Sequence, residues 1–352
     1  MKKSKKLRPR SRNELRNGFS DNLKPVKPLD LSKVKTVGDL VAQMAFTSFG
    51  GRSVGEAAEV LYEMVKDKDC FVVLTLSGAL TIAKMGLVIC DIIDNGFVGA
   101  VISTGALMAH GFVEAIGMTH FKYEKNMTDE QLYCAGYNRI YDTIEPEKNL
   151  DDVETIFRKV LDRVDKDVIL SSRFINERLG EYLVKHTKGR GILKSAYLKK
   201  VPVYVPAYTD SELGLDFGIY NRAARLKKEK SFQFDPFLDL EDFTELIKSQ
   251  KRIGIFTVGG GVPRNWAQQV GPYLDIIEKR LKTGGGFKRY HYGVRICPEP
   301  PYWGGLSGCT YSEGVSWGKL VPPSEGGRWA EVYADATIAL PLIVKAVLER
   351  LK

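Results

Sequence analysis

Apolar residues in this chain fall into short unbroken runs separated by stretches in which they recur every three or four positions. Residues 34–44 have helical spacing and predict a short helix, and a turn-rich segment at 47–55 leads into another over 56–66. The run Cys-Phe-Val-Val-Leu-Thr-Leu predicts a buried strand over 69–76, which Ser77, Gly78 and Ala79 turn into a helix reaching about residue 95. A second strand is predicted over 97–102, ended by Ser103, Thr104, Gly105 and Ala106. Residues 120–165 are polar and read as rich in helix, with amphipathic helices over 152–164 and 172–185. A strand returns over 201–210. The clearest buried strand, 252–258, is followed by Gly259, Gly260, Gly261 and Pro263 and a helix over 265–281. A glycine turn at 284–287, strands over 290–296 and 330–334, and an amphipathic helix over 338–351 complete the pattern.

Strand, small-residue turn and helix, repeated, predict right-handed βαβ units. The fold class expected is α/β: a doubly wound, mostly parallel sheet with helices on both faces, Rossmann-like. Ligands of such sheets collect at the carboxyl ends of the strands, where small turn residues allow close approach to the backbone. Asp210, at the end of a predicted strand, suits a ribose hydroxyl or equally a helix N-cap. The triple glycine departs from GxGxxG because its sixth position is Arg264, but it still places backbone N–H groups at a helix start, where a phosphate can sit.

Composition alters this picture at one end. The net charge is +9, yet residues 1–28 hold ten basic residues against two acids, so the body is nearly neutral. A basic extension over 1–28, disordered, and a single α/β domain over 29–352 are expected. The extension has no apolar core of an export signal, and no aromatic residue interleaves its charges before Phe19, so neither export nor nucleic-acid binding is read from it. No run of 18 apolar residues spans a membrane. Five scattered cysteines without a CxxC, and four histidines, indicate neither a disulfide framework nor a metal site, and a reducing cytoplasm is expected.

The chemistry concentrates at 303–319, a glycine-rich turn running from Trp303 through Glu313 to Trp317 and Lys319. A lysine among apolar and aromatic neighbours loses hydration, so its amine becomes nucleophilic towards an imine or carbonyl carbon. The same residues also fit a surface lysine whose stem packs on a tryptophan.

Glu-Gly-Val-Ser-Trp-Gly-Lys at 313–319, with Val-Tyr-Ala-Asp-Ala-Thr at 332–337, resembles the C-terminal signature of the deoxyhypusine synthase family. The similarity extends over most of the chain from about Val34. It implies a homotetramer with sites at a dimer interface, NAD as cofactor, and transfer of an aminobutyl group carried as an imine on Lys319. A polyamine such as spermidine would be the donor and a translation-factor lysine the acceptor. The alternatives are homospermidine-type transfer to a free amine such as putrescine, or a non-catalytic NAD-binding relative. Lys319, Trp317 and Glu313 are then the catalytic set. Ser77, Gly78, Ser103, Thr104, Gly105, Asp210, Gly260, Gly261, Ser307, Ala334 and Asp335 fall at cofactor positions. His110, Asp216, Asn265 and Trp303 fall at substrate positions. There the chain departs from the family, which carries an acidic pair where this chain has Met108, Ala109 and His110, an acid at Leu215, a histidine base at Asn265, and aspartates at 303–306. Glu114, one helical turn after His110, could share a face with it, either as a solvated pair or as a catalytic one.

Overall fold

In the computed structural model, which describes residues 8–124 and 126–352, the buried runs assemble into one parallel sheet. Its strands are β1 (Cys70–Leu76), β2 (Ala100–Ser103), β3 (Val203–Tyr204), β4 (Arg252–Val258), β5 (Tyr290–Ile296) and β6 (Arg328–Val332). Their order is β6-β5-β4-β1-β2-β3, all parallel. The chain therefore works outward from β1 to one edge, crosses back, and works outward again from β4. This is the doubly wound α/β arrangement expected, with its switch of direction between β1 and β4.

Side-chain alternation sends each strand into two cores. Val72, Leu74 and Leu76 of β1 join Phe256 and Val258 of β4 on one face. There they meet helices Phe49–Lys66, Gly86–Asp94, Gly105–Ala115 and Ala336–Arg350. Val73, Ile253 and Ile255 point the other way, onto helices Pro236–Lys248, Gly261–Gln268 and Val270–Leu281. With both faces covered, the strands read as continuous apolar runs.

Several boundaries differ from the sequence expectation, each for a local reason. The helix expected over 56–66 begins at Phe49, because Gly50, Gly51 and Gly55 belong to it. Gly55 lets it approach the preceding helix, Val37–Met44: a methyl group there would sit 2.3 Å from Ala45 N. Lys84, with φ +63°, delays the helix after β1 to Gly86. Of the strand expected over 201–210 only Val203–Tyr204 is paired, since Pro202 and Pro206 have no N–H to give a ladder. The helix expected over 265–281 is two, Gly261–Gln268 and Val270–Leu281, and the first takes up Pro263 in its opening turn. The region read as helix-rich holds helices Asp129–Cys134 and Glu147–Leu161, the second overlapping the amphipathic helix expected over 152–164, and also an unexpected three-stranded antiparallel sheet, with Thr143–Pro146 between Phe121–Lys122 and Tyr137–Ile140. Strands of two to four residues are too short to show a period.

Residues 8–28 are almost wholly exposed and hold two single 3-10 turns, Arg12–Glu14 and Phe19–Asp21; residues 1–7 of the basic extension lie outside the described residues. Among the described residues no helix is long and apolar enough to cross a membrane. Two outcomes follow. Gly55→Ala should destabilise the protein by about 1–3 kcal/mol, the usual penalty of overpacking, measured by urea unfolding. Deleting residues 1–28 should lower the melting temperature by no more than about 1–2 °C, since the described part touches the body through little beyond the Lys27 N–Phe46 O hydrogen bond and the Lys27 ammonium over the Phe46 ring.

Candidate active site

Lys319 is placed by the end of a short helix. Helix Tyr311–Ser316 starts at Thr310, whose Oγ1 accepts from Glu313 N at 3.1 Å. At its other end Gly318 N donates to Val315 O and Lys319 N to Gly314 O, both at 3.0 Å. These two bonds form a Schellman cap, which needs a left-handed residue at Gly318, here with φ +69°. Gly314 is required by packing: a methyl there would lie 2.7 Å from Leu320 Cδ2. Beyond the cap, Tyr290 N donates to Lys319 O and Val321 N to Tyr290 O, each at 2.9 Å, joining the segment to the start of β5. The lysine is thus clamped between a helix cap and the sheet, which explains the spacing Gly-Val-Ser-Trp-Gly-Lys.

The side chain turns inward and is 8% exposed. Its Nζ donates to Asn265 Oδ1 at 3.0 Å and lies 5.6 Å from the Trp317 ring centre. Burial holds its pKa below the ordinary lysine value; Arg264 pushes the same way, against Cys309 and Glu313. Lys319 opens into a cavity of about 320 Å³, bordered also by Asn265, Gln268, Cys309, Glu313 and Trp317. Glu313 is its one acid among the described lining residues, against two cations, Arg264 and Lys319. Trp303, 71% exposed, stacks edge-on against Tyr302 beside this cavity, whose rim is Pro301, Gly304, Gly305 and Leu306.

Two buried guanidinium groups hold the cavity floor. Arg264, 2% exposed, donates to Leu306 O and Cys309 O, both at 2.8 Å. Arg295, 1% exposed, donates to Ser307 O at 2.7 Å and faces Glu331 Oε1 at 3.2 Å. Glu331 Oε1 in turn accepts from Tyr311 N at 3.0 Å, at the start of the lysine's own helix. Sequence reasoning missed Arg295. The signal was a lone charge inside an otherwise apolar strand.

The carboxyl edge of the sheet brings most of the predicted cofactor positions into line. Ser103, Leu76, Val258, Ile296 and Val332 are in register across five strands. Ser77 N donates to Val258 O at 3.0 Å, and Ser77 Oγ accepts from Gly260 N at 2.8 Å. Gly259 and Gly261 have φ +85° and +61°. A methyl at Gly259 would sit 2.1 Å from Ser77 Oγ, and one at Gly260 2.7 Å from Ser307 Cα. Thr104 Oγ1 is buried at this edge with no hydrogen-bond partner among the described residues, and the space above Gly78 is open. Small residues, an orphaned hydroxyl and the open space at Gly78, gathered at the switch between β1 and β4, are compatible with a dinucleotide.

The remaining predicted residues are dispersed. Ala334 and Asp335 follow β6, four strand spacings from β2 and hence about 19 Å along the edge. Asp335 Oδ1 accepts from Thr337 N at 2.6 Å as N-cap of the last helix. Asp210 is exposed, and the cap of its helix is Ser211, whose Oγ accepts from Gly214 N; Ser211 also packs on Gly105. His110 does not pair with Glu114. It meets the buried Glu145, while Glu114 Oε1 accepts from Lys84 Nζ at 2.6 Å. Asp216 is half-buried, and burial, reinforced by Glu154 and Glu212, pushes its pKa up to about 7. Neither His110 nor Asp216 lines the cavity of Lys319.

Replacing Asn265 by aspartate would set a negative charge 3 Å from the amine and favour its protonated form. Lys319 pKa should rise in Asn265→Asp, and its modification by an amine-directed reagent at neutral pH should slow about tenfold, read by mass analysis of the labelled peptide over a pH series.

The deoxyhypusine synthase family model matches residues 39–347. Among relatives, "Probable deoxyhypusine synthase 2" of Methanosarcina acetivorans is 33% identical over 95% of this chain and 92% of its own length. Another protein of that name, from Archaeoglobus fulgidus, is 35% identical over 87% of this chain and 96% of its own. "Deoxyhypusine synthase-like protein" of Chlorobaculum parvum is 32% identical over 91% and 88%. A crystal structure of a proposed deoxyhypusine synthase from Entamoeba histolytica superposes with a TM-score of 0.59 over 92% of this chain and 97% of that one, at 14% identity, and so shares the fold. With the family model covering most of the chain and relatives above 30% identity along nearly all of it, this protein belongs to the deoxyhypusine synthase family.

Proposed function

We propose that this protein is an NAD-dependent aminoalkyl transferase that carries the transferred group on Lys319. The observation that supports this most directly is a buried lysine with a lowered pKa at the wall of a cavity, hydrogen-bonded to a neutral amide rather than paired with an acid. A carboxylate partner would keep the amine protonated; Asn265 Oδ1 orients it without doing so.

The crevice at Ser77, Thr104 and Gly259–Gly261 would hold NAD, which when bound accepts hydride from a carbon next to a donor nitrogen and returns it at the end. Lys319 Nζ attacks that oxidised carbon, the donor's original amine leaves, and an imine joins the alkyl fragment to Lys319. An acceptor amine then adds to the same carbon and expels the lysine, leaving an imine that is reduced to a secondary amine. Splitting the substitution this way lowers each barrier. Asn265 holds the attacking nitrogen, Glu313 anchors an ammonium end of the donor, and Trp317 covers the alkyl segment. Because Asn265 cannot titrate, proton transfers fall to Glu313 or to the amines themselves.

The donor class is a polyamine such as spermidine and the acceptor a protein lysine, as in translation-factor modification. Glu313 as the single lining acid suits a donor held by one ammonium, and this favours, as a second reading, transfer between small amines such as putrescine. A non-catalytic NAD-binding role leaves the inward-turned lysine unexplained. The exposed Trp303 and Trp317 beside the cavity fit coverage by a second copy, in a homotetramer of the family's kind.

Incubation with NAD and a panel of amines, followed by borohydride and peptide mass analysis, should place a stable adduct on Lys319. Lys319→Arg should remove the adduct and lower turnover on the order of 10³-fold or more, with NAD binding by calorimetry unchanged. Arginine keeps the charge and much of the stem, but its guanidinium stays protonated. An adduct persisting in this variant would place the nucleophile elsewhere.

A further inference from the structure

Outside the lysine cavity, three side chains from distant parts of the chain converge on one point. His110 comes from helix Gly105–Ala115, His120 from the loop after it, and Glu145 from the middle strand of the small antiparallel sheet. One ligand atom from each lies within 4.8 Å of the others. The side chains of His120 and Glu145 are wholly buried, and that of His110 is 13% exposed. Glu145 Oε2 touches His110 Nδ1 and stands 3.1 Å from His120 Nε2. Yet His110 Nδ1, His120 Nε2 and both Glu145 oxygens are without a hydrogen bond of acceptable geometry among the described residues. Buried polar groups are normally hydrogen-bonded. Four such atoms at one point form a buried cluster of metal-ligating groups, in contact with one another yet short of regular hydrogen bonds.

We propose that His110 Nδ1, His120 Nε2 and Glu145 bind one divalent transition-metal ion of the Zn²⁺ class, leaving a fourth position for an exchangeable ligand. Two imidazoles and one carboxylate are a donor set suited to such an ion, at about 2.0–2.1 Å from each ligand atom. Tetrahedral ligands at that distance are about 3.3 Å apart, close to the 3.1 Å between His120 and Glu145. Metal-bound histidines donate their other N–H to carboxylates, and one acid stands near each unused ring nitrogen, beyond hydrogen-bond length before an ion is bound. Glu212 Oε1 lies 3.9 Å from His110 Nε2, and Glu114 Oε1 lies 3.9 Å from His120 Nδ1. Lys84 Nζ now stands 2.7 Å from that Nδ1, which places the ring proton on Nε2. Loading the ion moves this proton to Nδ1, and Lys84 withdraws onto Glu114, which it already contacts at 2.6 Å. A cavity of about 390 Å³ lined by Thr81, Lys84, Gly111, Glu114 and His120 lies beside the cluster and offers a way in.

The ion would tie the helix after β2, the loop at His120 and the antiparallel sheet together, independently of the lysine chemistry. The test uses the full chain without an affinity tag, stripped with chelator, equilibrated with Zn²⁺ or Co²⁺ and desalted. Elemental analysis should give about one ion per chain, and the Co²⁺ form should show the visible absorption of a four- or five-coordinate nitrogen and oxygen site. Glu145→Gln and His120→Gln should fall to background, Glu212→Gln should bind about 10–100-fold more weakly, and Lys319→Arg should keep its ion. Less than a tenth of an equivalent in the wild-type chain, or full loading of both Glu145→Gln and His120→Gln, overturns the proposal. Should those variants fail to fold, the wild-type stoichiometry and Co²⁺ spectrum decide alone, a weak six-coordinate spectrum counting against it.

Discussion

Two buried arginines on the loop 306–309 are the constraint on which the active region rests. A guanidinium group without water costs several kcal/mol unless its donors are occupied. Arg264 and Arg295 donate to the carbonyls of Leu306, Ser307 and Cys309, and Arg295 also faces Glu331, while the Nε of each has no partner among the described residues. The loop therefore has one arrangement, set by charges that cannot leave it without being stranded. Ser307 is held against Gly260 by that arrangement, and Glu331 carries it on to the first turn of the helix that ends in Lys319. Shortening either arginine would loosen the glycine turn at Gly260 and the segment that carries Lys319 together.

The second element is the coincidence of two edges. The carboxyl ends of the strands are level, so glycines after β4 and hydroxyl residues after β1 and β2 share one crevice. On the same end of the molecule, the Schellman cap turns Lys319 towards Asn265, on the helix that begins at Gly261. Under the proposed function, hydride transfer at the strand ends and capture by the lysine would need a shared carbon atom. Helix Gly261–Gln268 links the two places, with its first turn at the glycines and Asn265 at the amine.

Electrostatics divides the molecule into two centres. Around Lys319 there is little negative charge, which keeps the amine reactive. Around His110 the reverse holds: Glu145, Glu212 and Glu114 gather within one neighbourhood, and Asp216 is pushed towards neutrality by burial, with Glu154 and Glu212 adding to it. The acids absent from the lysine cavity have counterparts here, on other elements.

Much of this was legible from sequence where the signal is local. Apolar runs at β1, β4 and β5 and the turns after them mark a parallel sheet, because a strand buried on both faces must be apolar throughout. The helix cap at Gly318 belongs to the structure, its segment having been expected only as a glycine-rich turn, and glycine suits it because the position is left-handed. The sequence also set the weak points: Pro202 and Pro206 confine β3 to two residues, and Lys84 breaks the helix after β1. Other features belong to the tertiary structure alone. His110 has Glu114 one turn away, but its partner is Glu145, brought in by an antiparallel sheet whose strands are too short to read. Arg295 stands out as a lone charge in its strand, but its role is set only when the loop at 306–309 folds over it. Helical and strand periods carry information over a few residues, whereas burial of these charges depends on segments that arrive from tens of residues away. The elements of the sheet and the position of Lys319 were therefore written in the chain, and the partners around them were decided only when the sheet brought its edges together.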